Sequence, residues 1–190
     1  MKTSEVRKEF VNLFEGLAQK YSRHQIWSDF IIMSACAISN ACDRRFFDVR
    51  EAMYMDCVKK YKSEEAEIFP EMLSLVVIAF EINPEQDFLG EIFGSLRLHN
   101  EWRGQFFAPY HVARLMADIN TGNLVKDVEE KGLVSVSDCC CGAGCLLIAF
   151  ANSAKRAGVN YQRNILFVAQ DVDLIAGLMC YIQLSILGCK

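Results

Sequence analysis

Leu133-Val134-Ser135-Val136-Ser137-Asp138-Cys139-Cys140-Cys141-Gly142-Ala143-Gly144-Cys145 is the stretch on which the fold turns. Apolar and small polar residues alternate from 133 to 138, which predicts a short strand. Residues 139–144 are small and carry two glycines, so they read as a tight turn. Residues 145–157 read as a helix, with Gly158 placed as its C-terminal cap. Downstream, 164–170 contains Ile165, Leu166, Phe167 and Val168, the composition of a buried strand in a parallel sheet. Asp171 ends that strand, and 174–187 predicts a last helix before Gly188. The order β-α-β-α is the opening of a doubly wound sheet.

Outward from that unit, the first half reads as helix after helix. Val6, Phe10, Leu13, Phe14, Leu17 and Tyr21 form one apolar stripe at helical spacing. Residues 26–38 are apolar nearly all round and predict a central buried helix. Val49, Met53, Cys57 and Tyr61 mark a third stripe. Pro70 opens a fourth helix at its first turn, with Met72, Leu73, Val76, Val77 and Phe80 inward. Asn83-Pro84 signals a turn, and Phe88, Leu89, Ile92, Phe93 and Leu96 mark a short helix after it. Gly104 to Pro109 reads as a loop feeding a helix that buries Val112, Leu115, Met116 and Ile119 and stops near Gly122. The expected fold class is therefore α/β, with a helical N-terminal domain over 1–100 and the β-α-β-α portion within 101–190.

Composition narrows the function classes. The 190 residues carry a net charge of −4, which argues against a stand-alone nucleic-acid binder, since such proteins show a basic footprint. No apolar run approaches the roughly 20 residues of a membrane span. Residues 1–7 turn charged at once and lack a signal-peptide core, so a cytoplasmic location is expected. The nine cysteines are odd in number and three are consecutive, unlike a disulfide framework. Cys141 and Cys145 are the nearest approach to metal-ligand spacing; buried, reduced thiols are the expected state, with no metal site.

A glycine turn between strand and helix lets a ligand approach the backbone, and an acid at the end of the next strand can take both hydroxyls of a ribose. A dinucleotide fingerprint would put a third glycine at 147, where this chain has Leu147. That argues against NAD or FAD and suits a nucleoside cofactor without a pyrophosphate. By itself the turn is equally a plain structural turn.

Taken together, three segments resemble the N6-adenine DNA methylase family, including the modification subunits of type I restriction systems. Gly104-Gln105-Phe106-Phe107-Ala108-Pro109, continuing through Val112 to Leu115-Met116, is similar to the family's G-Q-F-F-T-P-x-x-V-x-x-L-M. Asp138 to Gly144 is similar to D-P-x-C-G-S-G. Ala169 to Gly188 is similar to G-x-E-x-D followed by a helix ending in L-x-x-G, and Asp87 to Phe93 fits the stretch that leads into the cofactor domain. The resemblance implies a Rossmann-like domain that binds S-adenosyl-L-methionine. It implies contacts from Gln105, Phe106, Phe107, Ala108 and Pro109, from Asp138, Cys141, Gly142, Ala143 and Gly144, and from Asp171 and Val172. Asp138 would receive the ammonium of the methionine end and Asp171 the ribose; either Phe106 or Phe107 would face the cofactor. Ala108, Cys139, Ala143, Ala169, Asp171 and Gln183 depart from the family's threonine, proline, serine, glycine, glutamate and asparagine.

The same resemblance implies an Asn/Asp-Pro-Pro-Tyr/Phe motif that holds an extruded adenine. The prolines here are Pro70, Pro84 and Pro109, so no such motif occurs in the 190 residues. No catalytic residue is therefore assigned. The expectation is the cofactor-binding front part of a methylase, inactive alone, meeting DNA and a specificity or partner subunit through regions not in this chain. The alternative is a non-catalytic scaffold or interaction protein from a mobile element. Either way, an uncovered sheet edge or helix face is expected to favour self-association.

Overall fold

In the computed structural model, residues 2–98 and 108–190 are described, and the chain divides into two compact units, 1–82 and 83–190. The first unit is helical: α1 (Thr3–Ala18), α2 (Arg23–Cys42), α3 (Phe47–Val58), α4 (Ser63–Ala66) and α5 (Ile68–Ile82). Its core is the α1 stripe of Val6, Phe10, Phe14 and Leu17 set against Ile26, Trp27 and Phe30 of α2 and Met72 and Val76 of α5. Phe10 and Phe30 meet edge to face at 5.4 Å, a geometry that aligns ring edge with ring face. Ser22 caps α2 by accepting from the Gln25 N–H.

The third predicted stripe is corrected. Val49 and Met53 are exposed, and Cys57 is the buried residue of α3. Burial there follows a polar anchor on α2. The buried Asp29 carboxylate accepts from Lys60 Nζ and Tyr61 Oη, each at 2.7 Å, and so fixes the end of α3 by its last turn.

A second carboxylate ties α1 to α4. Glu65 accepts from Lys20 Nζ and Tyr21 Oη at 2.7 Å and from the Lys62 N–H at 3.1 Å. The Lys20 and Tyr21 hydrogen bonds favour the charged form and lower the Glu65 pKa from 4.5 to about 2. A carboxylate whose folded pKa is depressed adds stability above its unfolded pKa and loses it as pH falls through the folded one. The helical unit is therefore expected to weaken between about pH 4.5 and 2, and Glu65→Gln to flatten that stretch of the profile. Thermal melts across this window check it; an unchanged slope in the variant would count against the account.

The second unit holds α6 (Phe88–Ser95), α7 (Tyr110–Asn120), α8 (Leu124–Lys131), β1 (Val134–Asp138), α9 (Cys145–Arg156), α10 (Tyr161–Asn164), β2 (Ile165–Ala169) and α11 (Leu174–Ile186). The strands are parallel, with Val134 opposite Ile165 and Asp138 opposite Ala169. Helix α9 is the crossover, and the β-turn-α-β-α order expected from the sequence is present. Helices α8 and α10 are additions to the sequence reading. The helix at 88–95, grouped there with the N-terminal helices, belongs to this second unit.

Two burial expectations are corrected in this unit. Helix α7 buries Ala113 and Ala117, while Val112, Leu115, Met116 and Ile119 are exposed. Its partner α9 presents Cys145, Ala149 and Ala154 to the same cluster, so two small-residue faces pack where larger side chains would hold the helices apart. Strand β2 is buried on one face only. Ile165 is fully buried and Phe167 packs on the α9 cluster, whereas Leu166 and Val168 are exposed beside Ser135 and Ser137 of β1. Strand alternation sends these four to the opposite face, which no described element covers. A groove of about 430 Å³ lies beside β1, walled by Met116, Leu124, Leu146 and Phe150.

Candidate functional site

The carboxyl ends of β1 and β2 converge on the glycine turn, as parallel strands with a common crossover must. Three backbone bonds continue the ladder into it. The Gln170 N–H donates to Asp138 O and the Cys141 N–H to Gln170 O, both at 2.9 Å, and the Gly144 N–H closes the turn onto Cys141 O at 2.8 Å. Gly142 and Gly144 have φ of 54° and 95°, values that side-chain-bearing residues rarely adopt. At Gly144 space matters as well as φ: a Cβ would sit 2.8 Å from Cys180 Sγ of α11. The turn is thus pressed against the last helix.

Asp138 ends β1 with its side chain aimed into this turn. Oδ1 accepts from the Cys140 N–H at 3.1 Å, and Oδ2 is buried with no hydrogen-bond partner among the described residues. A buried carboxylate oxygen left unmatched is costly unless a donor arrives. Asp171, across the turn, is fully engaged by backbone: Oδ2 accepts from the Gly142 N–H at 2.8 Å and Oδ1 from the Asp173 N–H at 2.9 Å. Its carboxylate clasps the turn to the end of β2. Val172 beside it is fully exposed at 106%, and Asp173 caps α11 by accepting from the Ile175 and Ala176 N–H groups.

The structure therefore brings Asp138, Cys141, Gly142, Ala143, Gly144 and Asp171 together at one turn, with the exposed Val172 next to Asp171. Ala108 joins them from the other side, its carbonyl accepting from Cys145 Sγ at 3.3 Å, and Pro109 starts α7 as its N-cap. Gln105, Phe106 and Phe107 lie outside the described residues. Cys141, Cys145 and Cys180 are buried, and burial raises the pKa of each thiol, which keeps them protonated. Cys139 and Cys140, by contrast, are exposed.

One residue central to this geometry carried only a weak signal in the sequence. Gln183 of α11 is fully buried. Its Nε2 donates to Ala143 O at 2.7 Å and to Asp87 Oδ1 at 2.8 Å, and its Oε1 accepts from the Leu89 N–H at 3.0 Å. Asp87 in turn caps α6 through the Gly90 N–H. A buried amide thus joins the turn, α6 and α11. The available signal was a polar residue on a helix that is otherwise apolar nearly all round.

A profile of the family described as N-6 DNA Methylase matches residues 85–190, more than half of the chain. The chain belongs to the N-6 DNA methylase family. No curated protein and no solved structure matches it. Membership makes DNA methylation the activity class and DNA the substrate class, and members of the family use S-adenosylmethionine. The matched span coincides with the second unit and contains every candidate site residue within the described segments. Among the described residues no helix is long and apolar enough to cross a membrane.

Proposed function

We propose that residues 83–190 are the S-adenosylmethionine-binding part of a Rossmann-like adenine-N6 methyltransferase of restriction-modification type, working in the cytoplasm with a partner subunit. The observation that carries this reading is Asp138 Oδ2, a buried anionic oxygen without a donor at the lip of a glycine turn. An ammonium group supplies what it lacks. The positive-φ glycines keep side chains out of the space in front of the turn, Asp171 holds the turn at the end of β2, and Val172 offers an apolar surface where a nucleoside base would rest. When bound, the cofactor supplies a sulfonium methyl for transfer to a nitrogen nucleophile.

The protein's part in such chemistry is positioning and electrostatics. Asp138 fixes the amino-acid end of the ligand by charge, and the backbone of 142–144 sets how closely it approaches. The 190 residues hold no Asn/Asp-Pro-Pro-Tyr/Phe sequence, so under this reading the chain alone binds the methyl donor without presenting an adenine pocket. Self-association through the uncovered sheet edge or a helix face belongs to the same reading; sedimentation at tens of micromolar that gives monomer alone would remove it.

Calorimetric titration with S-adenosylmethionine is expected to give one-site binding. Asp138→Asn keeps an oxygen for the Cys140 N–H and removes the charge. It is expected to weaken binding about ten- to a hundredfold, the range for losing one charge-assisted contact. Absence of heat at millimolar ligand in the parent chain would overturn the cofactor reading and leave a methylase-like scaffold.

A further inference from the structure

Nine thiols are free in this chain, and three of them, Cys42, Cys139 and Cys140, are exposed. Cys139 and Cys140 are sequence neighbours, both are exposed, and both lie in the turn that follows β1. Cys141, Cys145 and Cys180, which surround the same turn, are buried and shielded from reagents in water. Cys139 stands where the family resemblance puts a proline, so the dithiol is a property of this chain.

We propose that Cys139 and Cys140 are an oxidisable vicinal dithiol whose disulfide displaces Asp138, a redox modification site in the glycine turn. The regulatory half rests on the cofactor reading above. With a peroxide as oxidant, the Cys139 thiolate attacks one peroxide oxygen, giving a sulfenic acid and water. Cys140 Sγ then displaces the sulfenic oxygen, which leaves as a second water. Two thiols and one hydrogen peroxide thus become one disulfide and two waters, with both thiol protons carried off. Hydrogen bonding with Cys139 and the negative charges of Asp138 and Asp171 push the pKa of the Cys140 thiol up. A raised pKa keeps the proton on Cys140 and suits it to the resolving step, which leaves the first attack to its neighbour.

Two consequences follow from geometry. Neighbouring Cα atoms are about 3.8 Å apart across a trans peptide, below the roughly 4.4–6.8 Å usual for a disulfide. The eight-membered ring is therefore strained and readily reduced, which suits a reversible switch. The ring also constrains the backbone between residues that hold the site. The Cys140 N–H bonds Asp138 Oδ1 at 3.1 Å and the Cys141 N–H bonds Gln170 O at 2.9 Å. Twisting this peptide withdraws the first bond and swings Asp138, the carboxylate assigned to the ligand's ammonium, out of its present position.

The test uses the full chain with hydrogen peroxide, followed by dithiothreitol. Mass spectrometry with thiol blocking is expected to show loss of two hydrogens at Cys139 and Cys140, reversed by reductant. Cys139→Ser and Cys140→Ser, each alone, are expected to abolish it. Hydrogen exchange at the Cys140 amide is expected to speed up on oxidation in the parent chain and not in either variant. S-adenosylmethionine affinity is expected to fall about tenfold on oxidation and to recover with reductant. Pairing of either thiol with Cys141, or oxidation stopping at separate sulfenic acids, would overturn the dithiol. A disulfide with unchanged exchange and unchanged affinity would overturn the switch. If the reduced chain binds no cofactor, the reading of function fails, while mass and exchange still decide the dithiol and its effect on the turn.

Discussion

Gly144→Val is expected to unfold the 83–190 unit or leave it barely stable, with a loss of about 2–6 kcal/mol. Two costs add. A β-branched residue is forced to a φ of 95°, which costs about 1–3 kcal/mol by itself. The new Cβ also lies 2.8 Å from Cys180 Sγ and 3.3 Å from Cys180 Cα on a buried helix, where the neighbour has little room to yield. Overpacking of that kind costs about 1–3 kcal/mol. Since a domain is stable by only about 5–15 kcal/mol, the sum decides whether it folds. The control is Gly132→Val. Its φ is 73°, but nothing lies within 4 Å of a Cβ there, so the conformational cost acts alone. Denaturant midpoints for the two variants check the account, and equal losses would show that contact with Cys180 contributes nothing.

Gln183→Leu is expected to cost about 3 kcal/mol or more, although leucine matches its size and suits an apolar helix. The substitution strands the Leu89 N–H and the Ala143 carbonyl and removes a donor from the Asp87 carboxylate, all at a fully buried position. Each unmatched buried polar group costs about 1–3 kcal/mol, and an anion costs more. Gln183→Glu is expected to be worse at neutral pH, because it sets a second carboxylate against Asp87 in place of a donor. Hydrogen exchange should show the loss at α6 and at the glycine turn together, since one amide holds both. A loss confined to α11 would contradict the linkage.

Both predictions concern how the glycine turn is held, and they mark the point where the sequence stops being informative. The strand at 134–138, the turn, the helices on either side and the parallel partner at 165–169 follow from local periodicity and from glycines placed where φ must be positive. Those are properties of a few neighbouring residues. The convergence of Asp138 and Asp171 was legible too, because two parallel strands joined by one crossover bring their ends together. The double engagement of Asp171 by the Gly142 and Asp173 N–H groups was not, since it depends on where another segment's backbone lies.

The sequence by itself determined the α/β order, the helical first unit, the placement of the glycine turn and, through the motifs at 138–144 and 169–188, the family. Tertiary structure alone decided which face of each element is covered. Helix α7 carries an apolar stripe of Val112, Leu115, Met116 and Ile119, yet it packs by Ala113 and Ala117 because α9 offers a small-residue face. Strand β2 is apolar on both sides, yet only Ile165 and Phe167 meet α9. Burial is a property of pairs of surfaces. Period and hydropathy show that an element has an apolar face; which face is used depends on the size and shape of a partner far away in the chain.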